Sequence, residues 1–195
     1  MAKLYFRYGA MGASKTANAL MVEYNYHERE QRAIIMKPSV DDRDGAKTIK
    51  SRVGMAKNAE LIFSDSDVFK MIDRMNSEKS IDCVIIDEAQ FLSRDHVDQL
   101  CKIADELKIP VITYGLRTDF RGELFPGSER LMAMADSIEE IKTVCWCSKK
   151  AIMNARVVGG RVVKEGEKIL LGGNESYVAL CRKHWAEGTL KQEAK

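Results

Sequence analysis

The apolar positions of the first 144 residues alternate between two periods, short runs that suit strands and longer stripes that suit helices. Leu4–Tyr8 is a short aromatic-rich strand, followed by a turn at Gly9–Ser14 and a helix whose face is read as Ala17, Leu20, Met21 and Tyr24. Arg32–Lys37 carries Ala-Ile-Ile-Met, a buried-strand pattern stopped by Pro38. Residues 39–58 are charged and glycine-containing and read as a long irregular stretch, with another strand at Glu60–Phe63. Asp65 and Asp67 offer caps for a helix with Val68, Phe69, Ile72 and Met75 along one stripe. Cys83–Asp87 is the clearest central strand. A helix from about Asp95 to Leu107 follows, with Val97, Leu100, Cys101, Ala104 and Leu107 inward, then strands at Pro110–Tyr114 and Ile138–Val144. Such alternation predicts an α/β fold, a mostly parallel sheet flanked by helices.

After Val144 the texture changes. Val157 to Val163 reads as a hairpin closed by Gly159-Gly160, and Gly172-Gly173 as a second turn. A boundary near 144 divides an α/β nucleotide-binding unit, 1–144, from a small C-terminal unit, 145–195.

The candidate chemistry begins in the first turn. Gly9-Ala10-Met11-Gly12-Ala13-Ser14-Lys15-Thr16 follows a strand and opens a helix, the context of a G-x-x-x-x-G-K-[ST] phosphate loop. Backbone N–H groups and the helix dipole of such a loop converge on phosphate oxygens. Lys15 would reach the β- and γ-phosphates, and Thr16 would hold Mg²⁺. Ser14 stands where the second glycine belongs, and a Cβ there predicts a displaced loop and slowed transfer. The loop makes the sheet a P-loop, RecA-like one. Asp87 and Glu88 end the central strand at the sheet edge where open α/β folds bind ligands. Asp87 suits Mg²⁺ and Glu88 suits the attacking nucleophile, water or a substrate hydroxyl. Asp87, Glu88, Ala89 and Gln90 together border the nucleotide.

Of the five cysteines, Cys83 and Cys101 fall in apolar elements and read as inert core thiols. Cys145-x-Cys147 and Cys181-x-x-His184 offer a tetrahedral S₃N set for a structural zinc, though the first pair is one residue tighter than usual. The C-terminal unit buries little apolar sequence, so a metal would hold it together.

With 195 residues the chain is too short for two RecA-type lobes. Hydrophobic residues at 45% and charged ones at 31% exclude disorder throughout. Lys plus Arg of 31 against Asp plus Glu of 29 gives +2, a balance that suits a small anionic ligand better than a nucleic-acid polymer. No apolar run is long enough for a membrane helix and no secretory h-region follows Met1–Arg7, so a cytoplasmic protein is expected.

These motifs together resemble the type II thymidine kinases, and most closely in appearance the Gram-positive bacterial ones. The likeness runs over nearly the whole chain. It rests on 9–16, Lys37-Pro38, Asp42-Arg43, Asp87 to Phe91, Gly115 to Arg121, Gly172 to Tyr177 and Cys181 to His184. It implies transfer of the ATP γ-phosphoryl group to the 5′-hydroxyl of thymidine in nucleoside salvage. Glu88 is the implied base, Asp87 the magnesium carboxylate and Arg43 a phosphate-facing arginine. Phe91, Leu116, Phe120 and Phe125 are the implied thymine pocket. Met153 to Tyr177 is the implied lasso over the base, with contacts from Asn154, Gly172 and Tyr177. The likeness further implies zinc knuckles anchoring the lasso, a homotetramer, and feedback inhibition by thymidine triphosphate. Two competing readings are a catalytically weakened nucleotide-binding relative, because of Ser14, and a P-loop ATPase on nucleic acid. Length and charge weigh against the latter.

Overall fold

The computed structural model describes residues 1–41, 45, 47–166 and 177–190. In chain order the elements are β1 (Leu4–Tyr8), α1 (Lys15–His27), β2 (Ala33–Pro38), β3 (Thr48–Lys50), β4 (Ala56–Asn58), β5 (Glu60–Ile62), α2 (Val68–Glu78), β6 (Cys83–Ile86), α3 (Arg94–Asp105) and β7 (Val111–Gly115). They continue with α4 (Pro126–Met134), β8 (Ser137–Glu140), β9 (Thr143–Val144), β10 (Lys150–Ala151), β11 (Met153–Val158), β12 (Arg161–Val163), β13 (Tyr177–Leu180) and α5 (Arg182–Glu187).

Six strands form one sheet in the order β5-β2-β6-β7-β1-β8, every pairing parallel. The apolar runs of β6 and β7 are buried along their whole length, as strands covered on both faces must be. One face packs Phe6, Met36, Val84 and Ile86 against Val68 and Ile72 of α2 and Val97, Leu100 and Ile103 of α3. The other packs Ile35, Cys83, Ile85 and Tyr114 against Ala19 and Leu20 of α1. The helix starts are capped locally: Asp67, rather than Asp65, accepts from the Lys70 N–H at 3.0 Å, and Ser93 and His96 cap each other's backbone at the start of α3.

Three expectations are corrected. The inward face of α1 is Lys15, Ala19, Leu20 and Glu23, while Met21 and Tyr24 are 54% and 56% exposed. Ala19 lets the helix approach the sheet closely, and Glu23 turns inward because the Lys57 ammonium meets it there. The stretch 39–58 contains an antiparallel hairpin, β3–β4, registered Thr48↔Asn58 to Lys50↔Ala56. Ile49 is its buried anchor, in the core that Ala19, Leu20 and Tyr114 share. Finally, Ile138–Val144 is two strands. β8 completes the parallel sheet, whereas β9 turns away to pair with β10.

The C-terminal strands β12-β11-β13 form a separate antiparallel sheet. Its first hairpin is the one expected: Gly159 and Gly160 both hold positive φ between Val158 and Arg161, as a type I′ turn requires. The second glycine turn, Gly172-Gly173, lies outside the described residues, as do Arg43 and Gly172 among the candidate site residues.

Candidate active site

The phosphate loop leaves β1 at the end of the sheet and re-enters the fold at α1. Gly9 has no room for a side chain, since a Cβ there would sit 2.4 Å from the Ile141 carbonyl oxygen. Gly12 holds φ +75°, and Ser14 takes the left-handed conformation that the motif's glycine would supply, at φ 56° and ψ 29°. The serine has therefore adopted the backbone of the loop. Lys15 is buried at the head of α1 and donates to the Gly9 and Ala10 carbonyl oxygens at 3.1 and 3.0 Å. Its ammonium is thus held inside the curve of the loop.

Asp87, at the end of β6, is 3% exposed and hydrogen-bonds the Thr16 side chain. Burial, then the adjacent Glu88 carboxylate, push its carboxyl up to about 7, against the Thr16 hydrogen bond and the Lys15 charge. A carboxyl in that position becomes a stable anion once a cation stands beside it, so Thr16 and Asp87 fit a divalent metal. Glu88 follows with left-handed backbone, φ 52°. Its carboxylate accepts from the Gln90 amide, while the Gln90 oxygen accepts from the Leu116 N–H at 2.9 Å. Gln90 is buried, so its side chain is a strut between Glu88 and the 116–125 segment.

Met11, Gly12, Ser14, Lys15, Thr16, Asp87, Glu88 and Leu116 all border one cleft of about 440 Å³. Its opposite wall was not foreseen: Asp41 and Ile49 to Gly54, the tip of the β3–β4 hairpin. No local motif marks that wall, and only the long-range placement of the hairpin reveals it.

The candidate base-pocket residues gather around the segment after β7. Phe91 and Phe125 meet edge to face at 5.7 Å. Phe120 is buried beneath the Arg156 guanidinium, 3.7 Å above its ring, and Arg156 donates to the Tyr177 hydroxyl at 2.9 and 2.7 Å. Asn154, on β11, is 3% exposed. Its amide oxygen accepts from the Met11 N–H at 2.8 Å and its nitrogen donates to the Thr118 carbonyl at 2.9 Å. The side chain foreseen as a base contact thus bridges the phosphate loop and the 116–125 segment.

Cys145, Cys147, Cys181 and His184 converge, their ligand atoms all within 4.8 Å of one another. His184 Nδ1 lies 3.4 Å from both Cys145 Sγ and Cys181 Sγ, and Cys147 and Cys181 sulfurs are 4.0 Å apart. Tetrahedral zinc with bonds near 2.0–2.3 Å needs ligand separations of about 3.5–3.8 Å, so the set fits. The tight Cys145-x-Cys147 spacing is accommodated by a turn, with Ser148 at φ 63° and its N–H donating to the Cys145 carbonyl at 2.9 Å. Burial raises the Cys145 thiol, but N–H groups of Cys147 and Cys181 and the His184 ring bring it down to about 6, toward the thiolate a metal binds. Next to this cluster Trp146 stacks on His184 and Trp185 donates to the Phe120 carbonyl at 3.0 Å.

The family model for thymidine kinase matches residues 2–185. The thymidine kinase of Lactiplantibacillus plantarum is 50% identical over 186 residues, 95% of this chain and 96% of its own length. That of Enterobacteria phage T4 is 48% identical over 98% of this chain and 99% of its own, and that of Shewanella oneidensis 47% over 96% and 98%. Among the described residues, no helix is long and apolar enough to cross a membrane. The phosphate loop, the acidic strand end and the Cys₃His cluster sit in a chain matched along nearly all its length: it belongs to the thymidine kinase family.

Proposed function

We propose that the chain transfers the γ-phosphoryl group of ATP to the 5′-hydroxyl of thymidine. The observation that carries this reading is the single cleft in which Lys15, Thr16, Asp87 and Glu88 face one another and which runs to Leu116. Glu88 accepts the hydroxyl proton as the O5′–Pγ bond forms and the Pγ–O bond to ADP breaks. Lys15 and the loop N–H groups hold the phosphates, and Thr16 and Asp87 hold a divalent cation, which when bound neutralises phosphate charge. Arg43 faces the phosphates by family likeness, and Asp87 to Gln90 border the nucleotide.

Phe91, Leu116, Phe120, Phe125 and Tyr177 shape the base pocket, with Gly172 in the lasso. Residues 1–144 act as the nucleotide-binding unit and 145–195 as a zinc-held cover for the base. The working form is a homotetramer inhibited by thymidine triphosphate. A weakened relative is the less favoured alternative, since Ser14 keeps the loop's backbone and the matched kinases span about 95% of the chain. The test is incubation with ATP, Mg²⁺ and each nucleoside in turn, with nucleotide product quantified. Thymidine monophosphate should dominate; its absence while ATP is bound would overturn the reading.

A further inference from the structure

The hairpin tip that walls the cleft is held from several sides. Lys37, fully buried, donates to the Gly45 and Thr48 carbonyl oxygens at 3.1 and 2.9 Å and lies 3.7 Å from Asp41. Ala59 N–H donates to the Lys47 carbonyl at 2.9 Å, and Lys57 pairs with Glu23 of α1. The tip itself is a tight turn, with Ser51 N–H to the Met55 carbonyl at 2.8 Å and Gly54 at φ +91°. This scaffold brings Arg52 to the phosphate loop. Arg52 Nη1 lies 3.5 Å from where a Cβ on Gly12 would stand, in van der Waals reach of the loop. Lys15, Lys50 and Arg52 are the cationic side chains among the described residues lining the cleft.

Resting on the reading that this cleft holds ATP, we propose that Arg52 grips the outer phosphates, facing Lys15 across the triphosphate. A guanidinium presents a planar fork that matches two phosphate oxygens, which an ammonium cannot do. Charge that builds on the bridging oxygen as ADP departs would be met from the side opposite the loop. Lys37 and the Lys57–Glu23 pair act as positioning residues, fixing where the fork arrives.

The test measures binding of a fluorescent ATP analogue with Mg²⁺ and no thymidine, beside steady-state kinetics, for Arg52→Ala, Arg52→Lys and the unaltered protein. Arg52 is exposed at a turn, so matching thermal melts should show an intact fold. Arg52→Ala should weaken ATP binding and lower kcat/KM for ATP by roughly 10- to 100-fold, the scale of a lost charge-assisted contact. KM for thymidine should stay within about twofold, ADP binding should suffer less than ATP binding, and Arg52→Lys should recover only part of the loss. Unaltered ATP affinity and kcat/KM in Arg52→Ala would overturn the proposal, and so would an equal rise of both KM values. A parent protein that binds ATP without phosphorylating thymidine would instead refute the proposed function, leaving the binding arm to judge Arg52.

Discussion

Two non-glycine residues of the cleft, Ser14 and Glu88, hold left-handed backbone. Such a conformation costs an L-residue about 1–2 kcal/mol, and at functional sites it is retained because it aims a group. At Glu88 it turns the carboxylate back toward Gln90 at the strand end. Glu88→Gln should lose about 10²–10⁴-fold in kcat while thymidine affinity is kept, because only proton acceptance is removed. Undiminished kcat would take Glu88 out of the mechanism. At Ser14 the cost falls on stability rather than geometry, because the loop already has the required backbone. Ser14→Gly trades strain against the greater entropy of glycine in the unfolded chain, for a net gain of roughly 0.5–1 kcal/mol, or about 1–4 °C in Tm. Its kcat should stay within about threefold. A large acceleration in a side-by-side assay would show that the serine does displace the phosphates, as the sequence alone suggests.

The elements most legible in the sequence are those whose signal is local. The apolar runs of β1, β2, β6 and β7, the loop between β1 and α1, and the Gly159-Gly160 hairpin need only neighbours a few residues away. The β3–β4 hairpin was not legible, because Thr48–Lys50 and Ala56–Asn58 are short and mixed in polarity, and their stability comes from Ile49 docking on α1. The α1 face departs from its sequence pattern for the related reason that Glu23 looks polar in sequence and is paired only in three dimensions. Helix α5 shows what local spacing does reveal and what it leaves out. Its Cys181-x-x-His184 spacing marks a metal knuckle, but the bond from the adjacent Trp185 to the Phe120 carbonyl spans 65 residues. The Cys₃His cluster is thereby fastened to Phe120, a wall of the proposed base pocket. Cys181→Ser should therefore raise KM for thymidine before ATP binding changes, and open 145–195 to proteolysis. Protein containing no zinc whose tail stays protected would contradict this.

At the scale of the whole molecule, the phosphate loop and the proposed base pocket follow the adjacent strands β1 and β7, and Asn154 of the antiparallel sheet joins them. Its amide spans from the Met11 N–H, 143 residues away, to the Thr118 carbonyl, and it is carried on β11, whose partner β13 leads into the Cys₃His cluster. Both partners are backbone groups, so the link constrains where the loop stands relative to the 116–125 segment rather than which side chains touch. Removing it leaves a half-buried N–H and a buried carbonyl unpaired, the latter costing about 1–3 kcal/mol in the closed arrangement. If Asn154 were simply a base contact, Asn154→Ala would raise KM for thymidine and spare ATP. A bridge behaves otherwise: both affinities weaken, and the factor by which one ligand alters the binding of the other shrinks, because coupling between two sites is reciprocal. Tyr177→Phe is the comparison, since it removes the Arg156 acceptor without touching the phosphate loop, and it should affect thymidine alone. The measurement is thymidine binding with and without a non-hydrolysable ATP analogue in each variant. A ratio between the two conditions that is unchanged in Asn154→Ala would show that the two ligand sites communicate, if at all, by another route.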